Sequence, residues 1–249
     1  MKKIGIITQA RMGSSRLPGK VLKEICRKPL LQYHIDRLSL SRYSDNLFVA
    51  TSDLPQDDAI ANWCQFNRIK SLRGSHLDVL DRYYQCALEH ELDIIVRVTS
   101  DCPLIDPYLL DDCIEAFLGH GGDYLGNTTH HVSPPYPSVS SRYPHGSDVE
   151  VFTFSSLENA CKNAIRSEER EHVTPYIRKN FPITLLDAPQ DYSSYNYSVD
   201  TLEDFNFINT IIEKLAKQNL FGTYREVIAI IDEINNITPT RKTNVTQPI

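Results

Sequence analysis

The sequence contains no hydrophobic run that approaches the roughly 18 residues needed for a membrane-spanning helix. Its start also lacks the apolar core of a signal peptide, because the short apolar run at residues 4–7 leads at once into a polar loop. The net charge of −6 argues against a general nucleic-acid-binding surface, which would be basic. We therefore expect a cytoplasmic protein that binds neither nucleic acid nor membranes.

The six cysteines include no C-x-x-C pair, the spacing that zinc sites and redox-active motifs commonly use. We expect them to be reduced and to serve mainly in packing. The length of 249 residues is near the upper size of a single α/β domain. We predict one domain over residues 1–235 and a flexible tail over residues 236–249.

Apolar runs of strand length alternate with segments of helical pattern. Strands are predicted at residues 4–8, 47–50, 93–98, 148–154 and 183–186. Helices are predicted at residues 29–40, 57–66, 77–89, 107–118, 155–164, 168–179, 202–217 and 224–234. This alternation predicts an α/β fold with a doubly wound, mainly parallel sheet. Residues 121–147, rich in Pro, Ser, Tyr, His and Gly, are predicted as an irregular insertion, and such long segments usually serve function.

The loop at residues 9–20 directly follows the first predicted strand and holds two arginines, a lysine, two serines and two glycines. Glycines let the backbone approach a ligand, and exposed N–H groups with fixed cations form an anion site. Open α/β sheets bind ligands at this end of their strands. The loop matches neither G-x-x-x-x-G-K-[ST] nor G-x-G-x-x-G. It predicts a polyphosphate site, with a solvated basic loop as the alternative.

Two aspartates follow predicted strands and precede helices, in R-V-T-S-D-C-P around Asp101 and S-V-D-T around Asp200. Carboxylates at strand ends suit a hard divalent cation beside a phosphate, and two of them form the usual minimal magnesium site. The alternatives are that Asp101 is a turn residue and that Asp200 or Thr201 caps a helix. For Asp106, a helix-capping role is favoured.

The run A-R-M-G-S-S-R-L-P-G-K at residues 10–20 resembles that of the spore-coat polysaccharide cytidylyltransferase-like family. It is also similar to the opening of enzymes that make CMP-activated keto-deoxy sugar acids. The resemblance extends to about Phe207 and implies a nucleotide-diphospho-sugar transferase architecture, Rossmann-like and GT-A-like. It implies CTP as substrate, Mg²⁺ as cofactor and a homodimer; Mn²⁺ should substitute, since both ions prefer oxygen ligands. Ser100 stands where the family usually has glycine.

The resemblance also implies roles for individual residues. Catalysis is expected from Arg16, Lys20, Asp101 and Asp200, with the two aspartates as metal ligands. Nucleotide contacts are expected from Ala10, Arg11, Gly13, Ser14, Ser15, Arg16, Lys20, Thr51, Ser52, Arg73, Gly74, Asp78 and Ser100. For Asp78 the spacing leaves an alternative open, an ion pair with Arg82 four residues later on a helix.

Acceptor contacts are expected from Arg142, His145, Asp148, Glu150, Arg170 and His172. Arg142 and His145 would clamp a carboxylate or hydroxyl groups of the acceptor, because arginine binds carboxylates through two parallel hydrogen bonds. The alternative for this group is a set of ion pairs on helix faces. Residues 133–143 are expected to help form the acceptor site or the subunit contact.

The function predicted from these features is transfer of CMP from CTP to a sugar or sugar acid, with release of pyrophosphate. One alternative is a glycosyltransferase of similar architecture. The basic first loop argues against it, because such a loop suits a leaving pyrophosphate. The other is a non-catalytic nucleotide-binding protein, and the joint presence of Arg16, Lys20, Asp101 and Asp200 argues against that.

Overall fold

The structure is a computed structural model that describes residues 2–127 and 142–237. Within these residues the chain forms nine β-strands and nine α-helices. The strands are β1 (Ile4–Gln9), β2 (Glu24–Ile25), β3 (Lys28–Pro29), β4 (Leu47–Ser52), β5 (Lys70–Gly74), β6 (Ile94–Thr99), β7 (Tyr124–Gly126), β8 (Glu150–Thr153) and β9 (Ile183–Leu185). The helices are α1 (Leu30–Leu38), α2 (Asp58–Phe66), α3 (Val79–Glu89), α4 (Pro107–His120), α5 (Phe154–Asn163), α6 (Ser167–His172), α7 (Pro175–Asn180), α8 (Leu202–Lys217) and α9 (Tyr224–Ile237).

Seven strands form one sheet in the order β5-β4-β1-β6-β8-β7-β9, and β2 and β3 form a separate hairpin. Strands β5, β4, β1 and β6 run parallel to one another, and β7 runs parallel to β9. Strand β8 runs antiparallel to both β6 and β7. The prediction of a doubly wound, mainly parallel sheet is confirmed.

The central strand β6 shows why this sequence is buried on both sides. Its apolar residues alternate between two core clusters: Val96 and Val98 pack into one, and Ile95 packs into the other. Because successive side chains of a strand point to opposite faces, a continuous apolar run fills both layers. The apolar residues of β6 are therefore taken up by the core, and the polar residues near the end of the strand are the ones available to a functional site.

A third apolar cluster lies under α8 and α9 and includes residues from the two predicted site segments. Leu17 of the loop after β1 and Val199 next to Asp200 both pack into it with Ile208 and Ile211 of α8. All four side chains are at most 6% exposed. Burying one such side chain stabilises the folded protein by about 1.5–3 kcal/mol. Packing against α8 and α9 therefore holds in place the two segments that carry the site.

The structure differs from the sequence prediction at several elements. The helix predicted at residues 168–179 is two helices, because Val173 has φ = 68° and Pro175 opens α7. Strand β5 and the β2–β3 hairpin were not predicted; they are short or polar. Within the predicted insertion, residues 124–126 form β7, and residues 128–141 lie outside the described part. Helix α9 includes residues 236 and 237 of the predicted tail, and the rest of the tail is not described.

None of the described helices combines the length and the apolar composition that a membrane-spanning helix needs.

Candidate active site

The loop after β1 folds back on itself through its backbone. The carbonyl oxygen of Met12 accepts hydrogen bonds from the N–H groups of Ser14 at 3.0 Å and Gly19 at 2.9 Å. Gly19 has φ = 70°, a left-handed conformation that glycine adopts without the steric cost borne by other residues. The chain then enters a short 3₁₀-helix, Lys20–Leu22, and this turn brings Lys20 to the ends of two other segments.

A buried aspartate outside the loop holds the loop against the sheet. Asp57 has no exposed surface. Its carboxylate accepts hydrogen bonds from the N–H of Met12 at 2.6 Å and from the hydroxyl of Ser52. Because Ser52 ends β4, this contact ties the loop to the neighbouring strand. The sequence pattern around Asp57 indicates only the start of a helix, so this anchoring role was missed.

Lys20 lies at the centre of the site, with only 9% of its surface exposed. Its ammonium group donates to the carbonyl oxygen of Val199 at 2.6 Å and to Oδ1 of Asp200 at 3.1 Å. It also lies 3.4 Å from Oδ2 of Asp101. The structure thus brings two aspartates from remote parts of the chain to one ammonium group.

Backbone contacts fix the positions of the two aspartates. The N–H of Val199 donates to the carbonyl oxygen of Asp101 at 2.8 Å, so the two segments lie side by side. Thr201 caps α8 in a reciprocal capping box with Asp204. Asp200 is therefore not the cap, and its carboxylate faces the loop, where it also pairs with Arg16 at 3.0 Å.

The capping role of Asp106 is confirmed. Its carboxylate accepts a hydrogen bond from the N–H of Tyr108 in the first turn of α4, at 3.0 Å. The other oxygen accepts from the N–H of Tyr224, at 2.9 Å. Asp106 is thus engaged in joining α4 to α9.

A pocket of about 400 Å³ opens at the carboxyl ends of β1 and β6. Of the predicted site residues, loop positions 10, 11, 14–16 and 20 line it, together with Ser100, Asp101, Asp200 and His172. Arg82 and Arg97, to which the sequence analysis gave no part in the site, also line it. The loop, the two aspartates and two further arginines therefore share one cavity.

The charges of the pocket are paired across its walls. Arg11 of the loop pairs with Glu171 of α6 at 3.0 Å, and both side chains are half-exposed. Withdrawal of the Asp101 carboxyl from water works to raise its pKa, but the Lys20 ammonium and hydrogen bonds from Thr99 and Lys20 outweigh that effect and lower the pKa. Asp101 is therefore an anion at neutral pH, ready to face a cation.

A buried histidine contacts the backbone of the turn that contains Asp101. His34 of α1 lies 2.9 Å from the carbonyl oxygen of Cys102 through Nδ1 and 3.0 Å from the hydroxyl of Thr8 through Nε2. A carbonyl only accepts, so Nδ1 carries the proton and Nε2 accepts from Thr8. Burial lowers the pKa of His34 to about 4, against the raising effect of the Cys102 carbonyl. The neutral ring thus links α1, β1 and the turn.

Six residues predicted to contact the nucleotide do not line the pocket: Gly13, Thr51, Ser52, Arg73, Gly74 and Asp78. Arg73 instead holds the turn after β4, donating to the carbonyl oxygens of Ser52 at 3.0 Å and Leu54 at 3.1 Å. The hydroxyl of Thr51 is buried and has no hydrogen-bond partner among the described residues. The nucleotide role of these six residues stays a prediction.

Asp78 and Arg170 form an ion pair with each other, and their contacts with nucleotide and acceptor stay predictions. Asp78 caps α3 by accepting from the N–H of Asp81 at 2.9 Å, and its other oxygen pairs with Arg170 of α6. A capping side chain folds over the first helical turn, so it does not reach along the helix. The alternative ion pair between Asp78 and Arg82 is therefore wrong, and Arg82 donates to the carbonyl oxygen of Ser75.

Three residues predicted to contact the acceptor lie on a segment that pairs with residues 195–197, a few positions before Asp200 in the chain. Arg142 pairs with Asp187 at 2.8 Å, and both are half-exposed. The backbone of His145 exchanges hydrogen bonds of 3.0 Å with Tyr195 and Tyr197, and Asp148 accepts from the N–H of Gly146 at 3.0 Å. None of the three lines the described part of the pocket, and their acceptor role stays a prediction.

Glu150 differs most from its predicted role. It is 1% exposed and does not line the pocket; its carboxylate binds Arg97. A side chain so enclosed has no surface for an acceptor. Glu150 is enclosed because it lies directly opposite Arg97 in the β6–β8 register. The alternating pattern of its own strand does not show this pairing.

The donor set around Lys20 fits a hard divalent cation. Asp101 and Asp200 present carboxylate oxygens to the same point in the pocket. Within residues 2–127 and 142–237, no group of three or more His, Cys, Asp or Glu side chains could hold a metal. Mg²⁺ needs no such cage, because it commonly binds through one or two carboxylates, waters and substrate phosphates.

Comparison with known proteins agrees with this arrangement. The family model for cytidylyltransferases matches residues 5–227. An uncharacterized protein of Methanocaldococcus jannaschii is 35% identical, covering 95% of this chain and 94% of its own. The spore coat polysaccharide biosynthesis protein SpsF of Bacillus subtilis is 33% identical over 88% of this chain and 90% of its own. A 3-deoxy-manno-octulosonate cytidylyltransferase of Solibacter usitatus is 31% identical over about half of each chain, 54% and 52%.

The solved structures that this chain resembles also include cytidylyltransferases. A cytidylyltransferase from Leptospira borgpetersenii has a TM-score of 0.85 and 32% identity, with all of both chains covered. The CMP:2-keto-3-deoxy-manno-octonic acid synthetase, solved with CTP, has a TM-score of 0.65 at 19% identity over 86% of this chain and 99% of its own; this likeness concerns the fold. On the family match and the full-length relatives, the chain belongs to the cytidylyltransferase family and is a CTP-dependent nucleotidyltransferase.

Proposed function

We propose that this protein transfers CMP from CTP to a hydroxyl of a sugar or sugar acid and releases pyrophosphate. The observation that carries the proposal is the placement of Lys20 between Asp101 and Asp200 in the pocket that the basic loop lines. The product would be an activated precursor for surface polysaccharide. Two relatives support this, one named for spore coat polysaccharide biosynthesis and one for a keto-sugar acid.

In this mechanism the acceptor hydroxyl oxygen attacks the α-phosphorus of CTP in line, the bond to the bridging oxygen of pyrophosphate breaks, and the hydroxyl proton is released to water. No covalent enzyme nucleophile is needed, since positioning and charge neutralisation account for such transfers. Arg11, Arg16 and Lys20 would hold the triphosphate. Each is paired with a carboxylate in this structure, so the three cations are already held in position, and the phosphate oxygens would join them when CTP binds.

Asp101 and Asp200 would hold Mg²⁺, with Mn²⁺ as a substitute. The ion would neutralise charge that develops on the phosphate oxygens. The same two carboxylates fix the position of Lys20, so they orient the ammonium as well. We also propose that the protein acts in the cytoplasm as a homodimer, a state that sedimentation at micromolar concentration tests; a monomer would contradict it.

The test is a screen of the four nucleoside triphosphates against sugar acids, sugar phosphates and neutral sugars, with pyrophosphate as the readout. We expect release with CTP, only in the presence of an acceptor. Lys20→Ala serves as the inactive control and Lys70→Ala, an exposed residue outside the pocket, as the active one. Equal release without any acceptor would point to hydrolysis and contradict the proposal.

A further inference from the structure

Arg97 is a charged residue inside an otherwise apolar strand, β6. It is 8% exposed and yet lines the pocket. Its Nη1 donates to Glu150, while its Nε is buried and has no hydrogen-bond partner among the described residues. A buried donor without a partner costs about 1–3 kcal/mol, so this guanidinium is not fully satisfied within the described protein, and it stands beside a cavity.

Glu150 is fixed by several hydrogen bonds, and it in turn orients the guanidinium group of Arg97. One carboxylate oxygen accepts from the hydroxyls of Tyr124 and Thr174, each at 2.7 Å, and the other binds Arg97. Burial works to lower the pKa of Arg97, but the Glu150 carboxylate outweighs it and the pKa is raised. Arg97 is thus a permanent cation in a fixed orientation, and the charge of its carboxylate partner is shared with two hydroxyl donors.

The position of Arg97 in the sheet separates it from the nucleotide side. Four of the residues predicted to contact the nucleotide lie on β4 and β5, on one side of β1, whereas β6, which carries Arg97, and β8 lie on the other. The loop cations Arg16 and Lys20 already face the two aspartates. Arg97 therefore stands on the part of the pocket left for the second substrate, which His172 of α6 also lines.

We infer that Arg97 binds an anionic group of the acceptor, a carboxylate or a phosphate, and that Glu150 is the residue that positions it. This rests on the proposed function, because CMP transfer is what defines an acceptor. Guanidinium groups bind both oxyanions through paired hydrogen bonds. Arg142, the sequence-based candidate for this task, is engaged with Asp187 and does not line the described pocket.

The experiment measures binding, so that turnover is not required. Calorimetry is carried out with the α,β-methylene analogue of CTP bound, using 3-deoxy-manno-octulosonate, its uncharged amide and a neutral-sugar phosphate as probes. We expect the wild type to bind one oxyanion at least about tenfold more tightly than the amide, the worth of one charge-assisted pair. The acid and phosphate arms tell which oxyanion is preferred.

In Arg97→Gln this preference should fall to about twofold or less, because the charge is gone. Arg97→Lys should keep part of it, and Glu150→Gln should weaken it while leaving affinity for the CTP analogue unchanged. Arg178→Gln is the matched control: Arg178 is 3% exposed and also has an unpartnered Nε, but it does not line the pocket. It should keep the full preference.

The inference is overturned if no probe binds the wild type, if acid, phosphate and amide bind alike, or if Arg97→Gln keeps the wild-type preference. It is also overturned if Arg97→Gln mainly weakens the CTP analogue, which would assign Arg97 to the nucleotide. A wild type that binds the acid through Arg97 but releases no pyrophosphate from CTP would refute the proposed function alone.

Discussion

At the scale of single residues, the account depends on a few charged groups at the ends of β1 and β6. Two carboxylates and two cations balance one another around Lys20. Such a balanced cluster is preorganised, because every group already has an oriented partner when the substrate arrives. Catalysis by preorganised charge is usually the largest single contribution to rate.

Asp101→Asn should lower turnover by about two orders of magnitude or more, the usual effect of losing one such electrostatic partner. The amide keeps the shape but offers no charge to Mg²⁺ or Lys20. Pyrophosphate release and thermal unfolding measure the effect on activity and on fold. Asp36→Asn, which alters an exposed pair with Lys28, is the control. Near-normal turnover at saturating magnesium would contradict the metal-binding role.

Arg16→Ala should weaken CTP binding much more than CMP binding, because its charge faces the β- and γ-phosphates in the proposed mechanism. Arg16 is the cleaner probe than Lys20, since its side chain is 64% exposed and its removal leaves no buried charge unpaired. Calorimetry with both nucleotides gives the two affinities. Equal losses would move Arg16 away from the leaving pyrophosphate.

His34 should make stability depend on pH between about 6.5 and 4. Its folded-state pKa is lowered to about 4, so in this window the unfolded chain binds more protons and stability falls as pH falls. The full effect is on the order of 3 kcal/mol. Urea unfolding of the wild type and His34→Gln at several pH values tests it, with the exposed His120→Gln as control. Parallel pH curves for the wild type and His34→Gln would contradict the prediction.

At the scale of elements, the loop after β1 depends on its glycine turn. Gly19→Ala should lower the free energy of unfolding by about 1–2 kcal/mol, the cost of a left-handed conformation, and weaken CTP binding by shifting the loop. Its Cβ would also lie 3.1 Å from the Met12 side chain. Gly119→Ala in α4, where a Cβ meets nothing within 4 Å, should leave stability equal or higher. Equal effects of both changes would show that the turn is not required.

The elements that sequence reasoning predicted well are those with strong local signals. The apolar run of β6 and the cap of α4 at Asp106 could be predicted from neighbouring residues. The positive φ of Val173 could not, because a β-branched residue rarely adopts it. Strand β5 has a polar sequence, K-S-L-R-G, and depends on pairing with β4 rather than on its own pattern.

For the site, the predictable part was the loop and the two aspartates, because the loop follows β1, Asp101 lies just beyond β6 and Asp200 lies just before α8. The unpredictable part consists of pairs between distant segments. Glu150 looked like an accessible strand residue, and only the β6–β8 register shows that it faces Arg97. Arg170 likewise has its partner, Asp78, on another helix. No local sequence pattern identifies ion pairs between residues that lie so far apart in the chain.

At the scale of the whole molecule, the strand order places two groups of strands on either side of β1. One side leads to β4 and β5, and the other to β6 and β8. The loop and its cations lie at the junction. In the proposed function, the nucleotide would extend from this junction toward β4 and β5 and the acceptor toward β6, so that the reacting atoms meet at the loop.

The most direct test of the central claim follows the phosphates of CTP. The wild type is incubated with Mg²⁺ and the best acceptor of the screen, using CTP labelled at either the α- or the γ-phosphate. The account predicts that the α-label appears in the sugar product and the γ-label in pyrophosphate, in equal amounts, with both lost in Asp101→Asn. Transfer of the γ-label to the sugar, or release of α-labelled CMP without a sugar product, would contradict it.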